Sequence, residues 1–498
     1  MTIERITPNK FTPWKQLIMA ILFFALAKIS SPAQVPTTLV ELGDTNTAGP
    51  QGTLVQGLNG NVYGVTSGLG TQTTGSVYEM TPSGSFTTLY TFTGGADGGD
   101  PIGGLIQAGN GVLYGTTFGG GINNTNCRGL GCGTVFGMTP TGKLTTIHRF
   151  AVTDGYGPLS APTIGMDGNL YGTTSYGGST TCKQNVHNGC GTVYKITSKG
   201  QFTTLHIFCQ QTGCTDGDSP RGSLVQASNG VLYGVTFYGG ATTGCKVDKG
   251  DPGCGTLFQI SSAGVLTTLH AFLGPEGSGP GVLIQGADGD LYGTTSLGGA
   301  NGFGTIFKYS LSGTLTKLYD FSLSDGQEAV GLTQATDNNF YGLAFVGGAN
   351  SDGTIFEITP ANSFSVLYDF SATPGKYPQS PLLQATSGKF IGTTNEGGTN
   401  AAPCYTVGCG TIFSLDAGLG PFVTFAVKFG KAGQTAEILG QGFRGATAVS
   451  FNGVNANFAV QSDTSLRATV PSGAATGYVT VTTPSGTLTS NVVFQVLP

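Results

Sequence analysis

The most regular candidates for chemistry in this sequence are cysteine pairs. Ten cysteines occur, and each lies a few residues from a partner. Zinc sites favour C-x-x-C spacing with histidine partners, and these pairs have neither feature. An even number of cysteines in an exported chain instead predicts disulfide bonds. The predicted bonds are Cys127–Cys132, Cys182–Cys190, Cys209–Cys214, Cys245–Cys254 and Cys404–Cys409.

A second set of candidates is a recurring carboxylate in the frame D-G-x-x-P or close to it. A ring of such carboxylates could hold Ca²⁺ or polar sugars. Asp-Gly is also an ordinary turn pair, and the spacing of an EF-hand loop is absent, so the turn interpretation is favoured over the calcium site. The candidates are Asp97, Asp154, Asp216 and Asp325, with Glu276 in the equivalent place.

The histidines do not indicate a catalytic site. His148, His206 and His270 occupy one repeat position, where other repeats have tyrosine, and this exchange favours packing over catalysis. The sequence contains no H-E-x-x-H motif, nucleophile elbow, P-loop or dinucleotide fingerprint. We therefore assign no catalytic residue. We expect no cofactor, with a calcium ion bound by the recurring carboxylates as the one alternative that stays open.

The elements that position these residues come from an internal repeat. Its core reads L-Y-G-T-T-x-x-G-G, followed by a loop and G-T-V-F, with a period near 50 residues. Each period contains four strand-like runs with tight turns between them, a pattern typical of a four-stranded propeller blade. The sequence predicts an all-β, seven-bladed β-propeller. The aligned core positions are Tyr63, Tyr114, Tyr171, Tyr233, Tyr292, Tyr341 and Ile391.

The two ends of the repeat region predict how the ring closes. The seventh repeat lacks its fourth strand, and residues 37–42 match the fourth strand of the first repeat at residues 87–92. We expect the N-terminal strand to complete the last blade, which leaves only short, protected edges. An open β-solenoid is the alternative, but it would not need matching half-blades at its ends.

Topology predicts which surface carries recognition. In a four-stranded meander, the loops after the second and fourth strands share one face, and all five cysteine pairs lie in such loops. Long loops on a rigid scaffold are where binding usually resides, so we predict that this face binds the ligand. Six glutamines end the first strands that line the channel; they either bind a polar ligand or, as we favour, satisfy backbone groups of the next blade. They are Gln56, Gln107, Gln226, Gln285, Gln334 and Gln384.

Residues 1–33 are predicted to be a signal peptide. Arg5, Lys10 and Lys15 precede an apolar run at 17–27, and residues 31–33 end in a small-x-small cleavage pattern. The run is too short for a membrane anchor, and no other run approaches spanning length. Its removal leaves 17 basic and 25 acidic residues, a net charge of −8. This charge argues against a nucleic-acid partner, and we expect an exported, extracellular or cell-surface monomer.

The repeat disappears after residue 420, and residues 421–498 show short alternating segments typical of a small sandwich. Their runs G-Q-G-F, A-V-S-F-N-G-V, V-P-S-G-A and G-Y-V-T-V resemble the IPT/TIG family, which implies an immunoglobulin-like domain that serves as a spacer or interaction module.

The repeats at 34–420 resemble the GloVer (Gloeobacter/Verrucomicrobia) family of exported bacterial proteins. That resemblance implies no assigned activity.

Two functions remain open from the sequence. The first is a non-catalytic binding protein whose ligand, a polysaccharide or a protein, meets the disulfide-braced loops. The second is a carbohydrate-active enzyme, a polysaccharide hydrolase or lyase, on the propeller. Low charge, at 9% of residues, and the lack of a recognisable catalytic set favour the first.

Overall fold

The computed structural model describes residues 34–43, 47–68, 74–123, 127, 129–179, 182–184, 187–211, 213–241, 245, 253–398, 404 and 407–498. The predicted signal peptide lies outside these residues. Val35–Pro498 forms one compact unit. All regular elements in the described part are β-strands, as the sequence predicts. None of the described residues forms a helix long and apolar enough to cross a membrane.

The repeat region forms seven four-stranded antiparallel sheets, the arrangement expected of propeller blades. The chain begins with β1 (Thr37–Glu41). Sheet 1 contains β2 (Pro50–Gln56), β3 (Val62–Thr66), β4 (Ser76–Met80) and β5 (Phe86–Thr91). Sheet 2 contains β6 (Leu105–Gln107), β7 (Leu113–Thr117), β8 (Thr134–Met138) and β9 (Leu144–Arg149). Sheet 3 contains β10 (Thr163–Ile164), β11 (Leu170–Thr174), β14 (Thr192–Ile196) and β15 (Phe202–Ile207), with the hairpin β12 (Lys183–Gln184) and β13 (His187–Asn188) in its long loop.

The remaining four sheets repeat the same order. Sheet 4 contains β16 (Val225–Gln226), β17 (Leu232–Thr236), β18 (Thr256–Ile260) and β19 (Leu266–Ala271). Sheet 5 contains β20 (Ser278–Gln285), β21 (Leu291–Leu297), β22 (Thr305–Ser310) and β23 (Thr314–Asp320). Sheet 6 contains β24 (Gln327–Gln334), β25 (Phe340–Val346), β26 (Thr354–Ile358) and β27 (Phe364–Asp369), and sheet 7 contains β28 (Leu383–Gln384), β29 (Phe390–Thr394) and β30 (Thr411–Leu415).

The N-terminal strand supplies the fourth strand of sheet 7. The order in that sheet is β1-β30-β29-β28, and β1 pairs antiparallel with β30, from Thr37 opposite Ser414 to Glu41 opposite Thr411. The predicted pairing is confirmed. Because the first and last sheets of the chain are joined in this way, the edge of β30 is not left open.

Backbone hydrogen bonds join neighbouring sheets on the face that carries the disulfide loops, which we call the loop face. The residue near the start of each first strand has a positive φ, and its amide donates to a carbonyl of the preceding sheet's long loop. In four joints the acceptor is the second cysteine of a pair, so the disulfide braces the joint. The donor–acceptor pairs are Gly49–Cys409, Asp100–Thr74, Gly157–Cys132, Ser219–Cys190, Gly279–Cys254, Glu328–Phe303 and Tyr377–Asp352.

Glutamine side chains join the sheets on the opposite face, which carries the tight turns and which we call the turn face. Gln107 Oε1 accepts from the Leu58 amide at 3.0 Å, and its Nε2 donates to the Gly111 carbonyl at 3.1 Å. The structural role is confirmed, but the partner is the preceding sheet rather than the next one. The other pairs are Gln56–Thr386, Gln226–Met166, Gln285–Ser228, Gln334–Ala287 and Gln384–Thr336.

The repeated glycine in each second strand is explained by close packing. A Cβ atom at Gly115 would lie 2.6 Å from Phe136 Cζ and 2.9 Å from Leu105 Cδ2. The same ring-to-backbone contact recurs in every sheet, because the tip of an aromatic side chain of the third strand lies against the glycine of the second strand. The pairs are Gly64–Tyr78, Gly115–Phe136, Gly172–Tyr194, Gly234–Phe258, Gly293–Phe307, Gly342–Phe356 and Gly392–Phe413.

We expect Gly115→Ala to lower the free energy of unfolding by about 1–3 kcal/mol, because overpacking a filled core costs that much. Chemical denaturation of the full chain measures the change. Gly281→Ala is the matched control: nothing lies within 4 Å of a Cβ atom placed there, so its effect should be near zero. Equal losses in both variants would contradict the packing explanation.

The C-terminal part contains ten short strands in two four-stranded sheets and one parallel pair. They share one core, which includes Ile438, Phe451, Leu466 and Phe494, all almost fully buried. The strands are β31 (Thr424–Phe425), β32 (Phe429–Lys431), β33 (Thr435–Leu439), β34 (Ala448–Phe451), β35 (Val454–Asn455), β36 (Phe458–Val460), β37 (Ser465–Thr469), β38 (Val479–Thr483), β39 (Gly486–Thr489) and β40 (Gln495–Leu497).

The C-terminal sheets contact the turn face of the repeat region. Gln441 Nε2 donates to Thr386 Oγ1 at 2.8 Å, and Thr386 Oγ1 donates to the Gly440 carbonyl at 3.3 Å. On the other side of the ring, Gln495 Nε2 donates to the Ser228 carbonyl at 2.6 Å. These contacts cover turns of the repeat region, whereas the loop face receives no such contact from the described C-terminal residues.

Candidate functional site

Five disulfides lie on the loop face. Four of them close the loop between the second and third strands of a sheet, and Cys209–Cys214 closes the connection from β15 to β16. They join the same pairs that the sequence spacing predicts: Cys127–Cys132, Cys182–Cys190, Cys209–Cys214, Cys245–Cys254 and Cys404–Cys409. A disulfide limits the conformations of its loop, so each bond fixes a loop beside a joint between sheets.

The recurring carboxylates each bind within their own connection after a fourth strand. Asp325 accepts from the Ser322 amide at 2.7 Å and from the Tyr319 hydroxyl at 2.8 Å. Asp154 accepts from the Ala151 amide at 2.7 Å, and its Oδ2 lies 3.1 Å from His148 Nε2. The same arrangement joins Asp97 to Tyr90 and Thr93, Asp216 to His206 and Cys209, and Glu276 to His270 and Leu273.

This arrangement explains the exchange of histidine and tyrosine between repeats. A Tyr hydroxyl and a His Nε2–H both place a donor at the tip of a ring, where the carboxylate needs it. Among the described residues, the groups with three ligand atoms within 4.8 Å all contain disulfide-bonded Cys182, and none combines the recurring carboxylates. The geometry therefore favours the turn interpretation of Asp97, Asp154, Asp216 and Asp325.

Half-buried aromatic side chains lie beside the joints on the loop face. Phe118, Phe237 and Phe345 occupy the same repeat position in sheets 2, 4 and 6. The Phe237 ring packs on the backbone of Gly279, where a Cβ atom would lie 2.7 Å from Cζ, and Phe345 stacks beside Tyr377 at 5.6 Å between centroids. Each ring thus bridges its own sheet and the start of the next.

A cation adds to this aromatic surface. The Arg221 guanidinium lies 3.7 Å from the centroid of the Phe237 ring and 5.5 Å from that of Tyr238. Tyr176 lies beside the Phe118 ring, since both contact Gly157. Three such groups lie at three separate joints of the loop face, and we call them together the aromatic cluster: Phe118 with Tyr176; Phe237 with Tyr238 and Arg221; and Phe345 with Tyr377. Sequence reasoning missed it, although the aromatic residues that follow the L-Y-G-T-T core are a visible signal.

Asp100 is a further loop-face residue that sequence reasoning missed. It stands at a joint with φ +56°, where three other sheets have Gly49, Gly157 and Gly279. Burial raises the pKa of its carboxyl group to about 6. Ser219, Glu328 and Tyr377 have the same positive φ at the joints of sheets 4, 6 and 7, so this backbone conformation is a property of the joints, and burial of the carboxyl group is what distinguishes Asp100. The signal in the sequence was an acidic residue before proline at a position where three other repeats have glycine.

Comparison with known proteins supports the repeat and the fold. The family model of the Gloeobacter/Verrucomicrobia repeat matches residues 25–182, 131–247, 179–405 and 240–481. No curated protein matches the sequence. A fungal alcohol oxidase of the AA5 family, solved in complex with copper, is similar with a TM-score of 0.52 and 13% identity, over 94% of this chain and 100% of that chain. At this identity the likeness concerns the fold alone.

Two further solved structures are more distant. A putative 6-phosphogluconolactonase from Bacteroides uniformis has a TM-score of 0.42 and 14% identity, over 70% of this chain and 89% of that chain. A putative glucose dehydrogenase from Thermus thermophilus has a TM-score of 0.40 and 13% identity, over 77% of this chain and 99% of that chain. Neither likeness bears on the function of this chain.

Proposed function

Since this chain belongs to the Gloeobacter/Verrucomicrobia repeat family, we propose that it is an exported, non-catalytic binding protein that recognises a polysaccharide on its loop face. In this proposal residues 1–33 are a signal peptide, residues 34–420 a seven-bladed β-propeller, and residues 421–498 an immunoglobulin-like domain of the IPT/TIG type. The protein acts as a monomer, without nucleic acid. Five disulfides are typical of proteins in oxidising, extracellular surroundings.

The aromatic cluster carries the proposal. The phenylalanine rings provide flat apolar contact area, and the tyrosine hydroxyls beside them add hydrogen bonding. Sugar rings have apolar C–H faces and hydroxyl edges that match such a surface. The rings are held rigidly, because Phe237 packs on the Gly279 backbone and against the Arg221 guanidinium. The C-terminal domain occupies the turn face, which leaves the loop face as the free surface of the propeller.

The test is a binding screen of the full chain against polysaccharides, with calcium and with a chelator. A polysaccharide that binds the unchanged chain should bind the Phe237→Ala variant roughly 2- to 12-fold more weakly, because an aromatic contact contributes about 0.5–1.5 kcal/mol. Tyr478→Ala is the matched control, because Tyr478 is an exposed aromatic residue of the C-terminal domain. The chelator should have no effect, because protein donors already satisfy the recurring carboxylates.

Loss of binding on chelation would instead favour the calcium interpretation of Asp97, Asp154, Asp216 and Asp325. Equal binding by Phe237→Ala and the unchanged chain would contradict a loop-face site at the aromatic cluster. If no polysaccharide binds at all, a protein ligand becomes the next candidate, and the same variants test it.

Asp100 favours a second candidate function, a carbohydrate-active enzyme. A carboxyl group with a pKa near 6 is protonated in enough molecules at neutral pH to act as a general acid. Product analysis on every bound polysaccharide tests this candidate. Turnover that Asp100→Asn abolishes, with binding retained, would establish the enzyme in place of the binding protein.

A further inference from the structure

A cavity of about 570 Å³ lies at the centre of the ring of sheets. Six of the seven sheets contribute residues of their first strands to its wall, and sheet 4 contributes Ser223, just before β16. Residues 424–429 of the C-terminal part line it on the turn face. The wall is largely apolar, with side chains such as Leu54, Ile284 and Leu332. Its volume falls in the range of about 300–1,000 Å³ that is typical of small-molecule sites.

A second cavity of about 280 Å³ adjoins the first. It lies between the turn ends of sheets 4–6 and C-terminal residues that include Tyr478 and Gln495. Lys428, Asn491 and Val492 line both cavities. The Lys428 side chain is exposed where it lines these cavities, and the hydrogen bond from the Gln495 amide to the Lys428 carbonyl, 2.8 Å long, holds its backbone.

Among the described residues, Lys428 is the only charged residue that lines either of the two cavities. Its Nζ has no hydrogen bond or ion pair to any described residue, whereas Lys308 lies 2.8 Å from both Asp288 and Asp290. The surrounding protein lowers the pKa of Lys428 by burial. An ammonium group without a counter-charge is costly in an apolar space, so a bound anion would stabilise Lys428 in its charged form.

The polar groups left in the wall are few. The channel glutamines are already used at the joints, as Gln334 shows by accepting from the Ala287 amide at 2.7 Å. Thr163 and Ser223 donate to carbonyls of neighbouring sheets. The buried Asn491 Oδ1 has no hydrogen-bond partner among the described atoms. Lys428 therefore remains as the charged donor that can hold an anionic group, and Asn491 Oδ1 can accept a hydrogen bond from a ligand.

We propose that the central channel is a second binding site, in which Lys428 holds the carboxylate of a small organic monoanion whose apolar chain lies against the first strands. The single ammonium sets the ligand charge at one, and the wall of Leu, Ile and Val side chains selects a hydrocarbon body. This site is separate from the loop face and differs from it in ligand class.

The test uses two probes of equal chain length, octanoate and the neutral 1-octanol, titrated into the full chain by calorimetry. We expect octanoate to bind at least 10-fold more tightly than 1-octanol, because only the anion pairs with Lys428. Lys428→Met should bind the two probes equally, and Lys428→Arg should retain the preference for the anion. Lys199→Met, in an exposed turn outside both cavities, should behave like the unchanged chain.

Equal affinity of the unchanged chain for both probes, or no binding of either, would overturn the proposal. So would octanoate binding by Lys428→Met at full strength. Thermal unfolding of each variant identifies a folding defect, and the comparison of the two probes on the unchanged chain does not depend on any variant. Phe237→Ala should leave octanoate binding intact, which separates this site from the loop face.

Discussion

A chain that begins at Gly43 should lose the cooperative unfolding transition of the repeat region. The deletion removes β1, whose hydrogen bonds to β30 complete sheet 7, and exposes the edge of β30. It also removes Leu42, which is 7% exposed in a cluster with Ala48, Cys404 and Cys409. Each buried Leu or Val side chain contributes about 1.5–3 kcal/mol. Leu39 and Val40 are partly buried and add less than this each. Together with the strand pairing, the loss is a large fraction of the whole stability of a domain, about 5–15 kcal/mol.

Thermal and urea unfolding, followed by circular dichroism, measure this loss. A peptide of residues 34–43 added to the truncated chain should restore the transition, because β1 contributes strand pairing and side chains rather than a covalent link. The same peptide with Leu39→Asp and Leu42→Asp is the control and should not restore it. An unchanged midpoint in the truncated chain would contradict closure by β1.

Asp100→Asn should stabilise the protein at pH 8 by about 2–3 kcal/mol, since each pKa unit corresponds to about 1.4 kcal/mol. The carboxyl pKa rises from its ordinary value near 4 to about 6 on folding, because burial disfavours the charged form. Because this pKa is higher in the folded than in the unfolded state, the free energy of unfolding has its full value below the pKa of the unfolded state. The free energy of unfolding then falls as the pH rises through the pKa of the folded state. The gain in Asp100→Asn should therefore appear between about pH 4 and pH 6 and be small at pH 3.

Asp97, three residues earlier, provides the control of opposite sign. Burial alone would raise its pKa, but the Thr93 hydroxyl, the Thr93 amide and the Tyr90 hydroxyl donate to the carboxylate, and the pKa is lowered. Its contribution is present above the unfolded pKa and is lost as the pH falls. Asp97→Asn should therefore destabilise at pH 8. A loss of stability in Asp100→Asn at pH 8 would show that Asp100 has a charge partner.

The sequence was sufficient for features that depend on local spacing. The repeat defined four strands per period, since alternating residues and tight turns are encoded within about 50 residues. The match between residues 37–42 and 87–92 predicted the pairing of β1 with β30, because strands with the same position in the repeat make the same contacts. The five disulfides followed in the same way, since each joins cysteines within one loop.

The joints between sheets were predicted only in part. The glutamines were expected to satisfy a neighbouring blade, but the direction of the contact was wrong: Gln107 accepts from Leu58 of the preceding sheet. Direction depends on the twist of each sheet and on how the sheets pack, which no single repeat encodes. The exchange of His148 with Tyr319 likewise showed a shared position, whereas the hydrogen bond to a carboxylate required the fold.

The tertiary structure alone decided which residues meet at the two proposed sites. The sequence marks Asp100 only as an acidic residue before proline; its raised pKa comes from the protein packed around it. Lys428 lies outside the repeat, about 140 residues from Ile284, and reaches the channel because the C-terminal domain packs on the turn face. Local spacing determines strands, turns and loop disulfides, because their partners are near in the chain. The burial of the Asp100 carboxyl group and the lack of an ion-pair partner for Lys428 among the described residues depend on segments that are distant in the chain. Only the folded molecule therefore reveals them.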